Sequence, residues 1–195
     1  MDFVLLFIPM SKSMNLFVLT CLLVGCIITR SPQEWKGRTI YQLLTDRFAR
    51  NDGQQYDCGN LGNYCGGGYK GIINNLDYIQ GMGFDAIWIS PIIDNRDGGY
   101  HGYWGRDLYK LNDNFGSEQD FKDLVAACHS RDIWVMVDVV GNHMGNLDEN
   151  FGVNNPFNQK EHYHDWCSIS DSDFATHNQN RIENCRLANL ADLKQ

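Results

Sequence analysis

The sequence predicts an α/β fold built on a parallel sheet, and three observations carry that expectation. Short apolar strands alternate with amphipathic helices in the order strand, helix, strand, helix, strand, which is the order of consecutive β/α units. Strands two and three are apolar nearly throughout, as in a parallel sheet covered on both faces. The aromatic, polar and glycine-rich segments fall where these strands end.

The elements follow in order. "NLFVLTCLLVGCII" (Asn15 to Ile28) is uncharged, apolar and preceded by Lys12. It is shorter than the roughly 20 residues of a membrane span, so residues 1–30 read as a secretory signal peptide. An uncleaved anchor and a lipoprotein signal ("LVGC", Leu23 to Cys26) are the alternatives, and Met10 or Met14 are possible starts. Cleavage is expected between Cys26 and Ser31. "RTIYQLLTDRF" (Arg38 to Phe48) opens with strand one. "YKGIINNLDYIQGMG" (Tyr69 to Gly83) puts Ile72, Ile73, Leu76 and Ile79 on one helical face and closes on glycine. "FDAIWISP" (Phe84 to Pro91) is strand two, stopped by proline. Ser117 and Asp120 stand in capping-box spacing before a helix that aligns Phe121, Leu124, Val125 and Cys128. "IWVMVDVV" (Ile133 to Val140) is strand three. Residues 31–140 therefore form the β/α part. Residues 141–195, rich in Asn, Asp, His and Gly and without a period, read as a functional insertion.

Sixteen basic against twenty-four acidic residues give a formal charge of −8 with no Lys/Arg cluster. That argues against nucleic acid and anionic lipid as main partners, and it suits a neutral ligand or a cation equally. Of the seven cysteines, Cys21 and Cys26 would leave with the signal. Cys128 lies on an apolar helix face, where it packs as a small hydrophobe. Cys58, Cys65, Cys167 and Cys185 lie in polar loops, where neighbour pairing gives Cys58–Cys65 and Cys167–Cys185. Metal binding is the alternative, without Cys-x-x-Cys spacing to support it.

In parallel β/α proteins, ligands meet the loops at the C-terminal strand ends. Strand one ends near "TDRF", strand two runs into "GGYHGYWGRDLY" (Gly98 to Tyr109), and strand three ends in "DVVGNHMG". Tyr100, His101, Tyr103 and Trp104 are flat rings among polar groups, which suits the C–H face and hydroxyls of a sugar. Rings folded back onto the sheet rim are the equal alternative. Asp138 taken alone is a hydrogen-bonded structural carboxylate, and His143 taken alone is only a pH-sensitive candidate.

Together, "GFDAIWISP", "YHGYWGRDLYKLNDNFG" and "DVVGNHMG", with its D-x-x-x-N-H pattern, resemble the α-amylase family of glycoside hydrolases. "EWKGRTIYQLLTDRFAR", "YCGGGYKGIINNLDYIQGMGF" and the four loop cysteines resemble its secreted fungal members. The resemblance runs from about Glu34 to Leu193. It implies a (β/α)8 TIM barrel of which this chain holds the first three β/α units, followed by an inserted calcium-binding domain. It implies that Asp138 is the buried aspartate bracing the catalytic centre. His143, His101, Tyr103 and Trp104 would line the sugar subsite where cleavage occurs, Tyr103 as stacking platform. Asn142, Glu183 and Asp192 would hold a structural Ca2+, a cation that takes about six to eight oxygens; a solvated loop charge is the alternative for Glu183 and Asp192.

The implied activity is calcium-dependent endo-hydrolysis of α-1,4-glucosidic bonds in starch-like glucans, with retention, by a secreted monomer. The family takes its nucleophile and general acid from strands four and five, and no G-x-R-x-D segment occurs here. The chain is therefore expected to be an N-terminal portion that is inactive alone. A truncated homologue that binds sugar or calcium weakly, or a related α-glucosidase or transglycosylase, is the alternative.

Overall fold

The computed structural model of the chain describes residues 31–55 and 58–194; the expected signal peptide, with Cys21 and Cys26, lies outside the described residues. The chain divides into two compact units, one ending at Gly37 and one beginning at Arg38. In the first, Ser31 caps a helical turn over Pro32–Trp35, and Glu34 reaches back to the Ser31 amide.

The second unit contains β1 (Ile40–Leu43), β2 (Ala86–Ile89), β3 (Ile93–Asn95), β4 (Gly105–Leu111), β5 (Trp134–Val137), β6 (His143–Met144) and β7 (Ala191–Asp192). Strands β1, β2 and β5 form a parallel sheet in that order. Their register aligns Leu43, Ile89 and Val137 at the C-terminal ends. Thr45 N–H donates to Ser90 Oγ at 3.0 Å, tying the first two strand ends together.

The helical crossover after β1 is not the single helix that the spacing predicts. It is two helices, Tyr69–Asn74 and Leu76–Gly81, broken at Asn75 with φ −117° and ψ 13°. Asn75 Nδ2 takes the Gly71 carbonyl at 2.8 Å, the acceptor that its own backbone N–H would use in a continuous helix. The apolar face survives the break, because Ile72, Leu76 and Ile79 are all fully buried. The second crossover helix, Glu118–His129, begins as expected with the Ser117/Asp120 capping box. It buries Leu124 and Cys128 against Ile87, Ile89 and Ile133 in one core. Fully burying each such aliphatic side chain contributes roughly 1.5–3 kcal/mol.

Two further sequence expectations need correction. Strand three stops at Val137, not Val140, and Asp138 is half-buried just past its end. The Asp138 amide still donates to Ile89 O at 3.0 Å, but Val139 is 83% exposed. β2 ends at Ile89, so the chain beyond Asp138 has no ladder to follow. The other correction is the antiparallel hairpin β3–β4, which the sequence pattern does not predict. Its register is irregular between Ile93, Asp94 and Asn95, which erases the alternation that marks a strand.

Beyond Gly141 the chain forms short turns, helices over Asp171–Ala175 and Gln179–Asn184, and the β6–β7 pair. Met144, Phe151, Tyr163, Ala191 and Leu193 make a small second core. Asn155 N–H donates to Arg106 O and Asn155 O accepts from Leu108 N–H, both at 2.9 Å, seating this segment on β4.

Candidate active site

The site gathers at the C-terminal ends of the parallel strands, on the loop that closes the β3–β4 hairpin. That loop is shaped by glycine at Gly102. It has φ +88°, and a Cβ there would stand 2.4 Å from Pro91 O, so no other residue fits without displacing backbone. Gly145 is as confined: its Cβ would lie 2.3 Å from Trp104 O, and its N–H donates to Gly105 O at 2.6 Å.

On this frame Tyr103 donates its hydroxyl to Asp138 Oδ2 at 2.9 Å. Tyr103 N–H donates to His101 Nδ1 at 3.0 Å, which leaves the ring proton of the neutral histidine on Nε2. The His101 and Tyr103 rings stack at 5.8 Å and 19°, and Trp104 meets His101 edge-on at 4.6 Å. Trp104 N–H donates to Asn95 Oδ1 at 2.7 Å. A cavity of about 250 Å³ lies beside Tyr103, bounded by Gln42, Leu43, Leu44 and Ser90. Burial, followed by the charges of Arg96 and Arg47, pushes the His101 pKa down. Burial, then the hydrogen bond and charge of Asp138, pushes the Tyr103 phenol up.

His143 stands behind this group. Its Nε2 donates to Tyr103 O at 3.0 Å and its Nδ1 accepts from Asn142 Nδ2 at 3.2 Å, so both nitrogens are engaged by protein. The structure thus brings His101, Tyr103, Trp104, Asp138 and His143 together. A direct sugar contact from His143 would require Nε2 to leave the Tyr103 carbonyl.

Of the three residues expected to hold calcium, Asn142 lies near each of the other two. Asn142 Nδ2 lies 3.4 Å from Asp192 Oδ1, and a cavity of about 350 Å³ is bounded by Asn142, His164 and Glu183. Asp192 is 3% exposed and hydrogen-bonds His164 Nδ1 through its other oxygen at 2.7 Å. Among the described residues its one salt-bridge partner is His164, and the buried Arg186 acts on it only through its charge. Glu183 accepts from Gln179. Among the described residues no three His, Cys, Asp or Glu side chains form a metal-holding cluster. The oxygen set here is two carboxylates and an amide, and hard oxygens of this kind fit a calcium ion. Since Asn142 engages its neighbours through Nδ2, its Oδ1 is the atom left for a cation. His164 was missed in the sequence: nothing at that position distinguishes it from His162.

The disulfides pair Cys58 with Cys65 and Cys167 with Cys185, at Cα separations of 5.2 and 4.9 Å, and Cys128 is free and buried. Cys65 N–H donates to both carboxylate oxygens of the fully buried Asp46, at 3.1 and 2.9 Å.

A model of the α-amylase catalytic domain matches residues 42–189. The chain belongs to the α-amylase family. The α-amylase mde5 of Schizosaccharomyces pombe is 52% identical over 144 residues, covering 69% of this chain and 28% of that protein. α-Amylase 2 of Schwanniomyces occidentalis is 44% identical over 172 residues, covering 82% and 34%. Among solved structures, an α-amylase from Malbranchea cinnamomea superposes with a TM-score of 0.77 at 45% identity, over 85% of this chain and 37% of that one. An α-amylase from Geobacillus thermoleovorans, solved complexed with acarbose, gives a TM-score of 0.72 at 36% identity, over 86% and 35%. The chain therefore spans about a third of the length of the α-amylases it matches. The family's catalytic domain is a (β/α)8 TIM barrel, and the parallel β1-β2-β5 sheet is consistent with part of one.

Proposed function

We propose that this chain is the glucan-gripping part of a secreted, calcium-dependent α-amylase that hydrolyses α-1,4-glucosidic bonds in starch-like glucans with retention, as a monomer. The observation that carries the reading is the Tyr103–Asp138 hydrogen bond at the strand ends, flanked by His101 and Trp104. Tyr103 offers a ring face to a pyranose, and His101 offers an Nε2–H to a hydroxyl. Asp138 holds the phenol of Tyr103 and so fixes the angle of that platform. Residues 31–140 would supply the first β/α units of the barrel and residues 141–195 an inserted domain seated on β4.

Asn142, Asp192 and Glu183 would hold calcium, which when bound supplies a fixed positive charge tying β6 to β7 and the 179–184 helix. That is a structural role. Asn142 is adjacent to His143, so whatever steadies the former also steadies the hydrogen bond from His143 to Tyr103 O.

Retaining hydrolysis needs a nucleophile and an acid about 5 Å apart, flanking the scissile bond. Three carboxylates near the rim are already engaged: Asp138 by Tyr103, Asp94 by Arg106 at 2.8 Å, Asp46 by Arg47 at 2.8 Å. This favours the second reading for the chain by itself, a sugar-binding segment without turnover. Reducing-end release from soluble starch tests it, with a fungal α-amylase as positive control. The expected result is no turnover above buffer. Turnover abolished by Asp138→Asn would overturn it and make Asp138 a reacting group.

A further inference from the structure

Five side chains form a continuous ladder across the rim. The Arg47 guanidinium carbon lies 3.7 Å from the Tyr100 ring centroid. Tyr100 meets His101 edge-on at 5.0 Å, and His101 meets Trp104 at 4.6 Å. Arg96 closes the far end, 3.9 Å from the Trp104 centroid. The histidine stands at the middle with a guanidinium at each end.

The two ends are held differently. Arg47 donates Nε to Asp46 and its NH2 group to the Leu61 and Asn63 carbonyls, so its position is set by the loop around the first disulfide. Arg96 Nε is buried with no hydrogen-bond acceptor, as expected of a planar group laid on an indole face. Arg96 N–H donates to Trp104 O at 3.0 Å, while the preceding Asn95 accepts the Trp104 N–H. One dipeptide thus grips both the backbone and the ring of Trp104.

We propose that Arg96 is a positioning residue of this rim: it clamps Trp104 beside His101 and, with Arg47, keeps His101 in the neutral form that accepts from Tyr103 N–H and presents Nε2–H to a sugar hydroxyl. The sugar in this statement rests on the function proposed above; the clamp does not. Protonating Nδ1 would set two donors against each other and place a third cation between two guanidinium groups. The groups facing the imidazole are Arg47 and Arg96 through the ladder, the rings of Tyr100, Tyr103 and Trp104, and Asp138 beyond the Tyr103 hydroxyl. Only the last is an anion, and Tyr103 already holds it.

Arg96→Met keeps much of the packing and removes the charge, whereas Arg96→Lys keeps the charge and removes the plane. In the full chain, the His101 ring is titrated by NMR in each variant, and maltotriose is then titrated at fixed pH. The inference expects Arg96→Met to raise the His101 midpoint and to weaken maltotriose on the order of three- to tenfold. Arg96→Lys should keep the low midpoint but still lose affinity. An unchanged midpoint in a folded Arg96→Met protein would overturn the inference, as would a Lys variant indistinguishable from wild type in affinity. If Arg96→Met does not fold, the Lys variant decides alone through that affinity comparison. No maltotriose binding in wild type, with the midpoints behaving as stated, would sink the glucan reading and leave the clamp standing.

Discussion

Tyr103 and Asp138 are joined by a 2.9 Å hydrogen bond between residues 35 positions apart, one on the β3–β4 loop and one just past the end of β5. The bond explains why a carboxylate follows so apolar a run. It also fixes the tilt of the ring that a sugar would stack on. Tyr103→Phe keeps the ring and removes the donor, and it should cost about 0.5–1.5 kcal/mol in urea unfolding. The phenol pKa is raised in the fold, so the bond's contribution is full below the unfolded value near 10 and fades as pH rises through the folded value. Equal stability of the two proteins at pH 7 would remove this bond from the account.

Calcium should act on stability before it acts on anything else. Asp192→Asn keeps the shape of a buried side chain and removes its charge. Wild type is expected to melt higher with calcium than with chelator, as for any ligand that binds only the folded state. Asp192→Asn should lose most of that difference. Identical melting of wild type in both buffers would remove calcium from this chain.

The disulfides span 7 and 18 residues in sequence. In the chain-entropy picture, loops of these sizes contribute about 2 and about 3 kcal/mol respectively. Cys128 is different: burial pushes its thiol up to about 12, so almost none of it is thiolate at pH 8. Alkylation of native protein followed by non-reducing peptide mapping should recover both crosslinked pairs and an unmodified Cys128. Rapid labelling of Cys128, or alkylated Cys58 or Cys185, would contradict the arrangement.

The parallel sheet was legible because apolar runs and capping boxes are local signals. Ser117 with Asp120, and the alignment of Ile72, Leu76 and Ile79, needed no tertiary knowledge. What escaped depended on contacts between distant segments. Asn75 breaks its helix because its amide reaches a carbonyl four residues back, and the pattern of isoleucines hides that. The β3–β4 hairpin is held by bulges and by the Asp94–Arg106 pair, neither of which has a period. At the site, the motif residues could be named in advance. Their partners Arg96 and His164 could not, because one is chosen by an indole face and the other by a buried carboxylate.

The most direct test asks whether this chain grips a glucan at the Tyr103–His101–Trp104 rim. Maltotriose is titrated into isotope-labelled protein, with sucrose as a control, and chemical-shift changes are mapped by residue. The account predicts saturable changes centred on His101, Tyr103 and Trp104, absent with sucrose and lost in Tyr103→Ala. Changes that leave these three residues unmoved, or none at all in a folded protein, would contradict it.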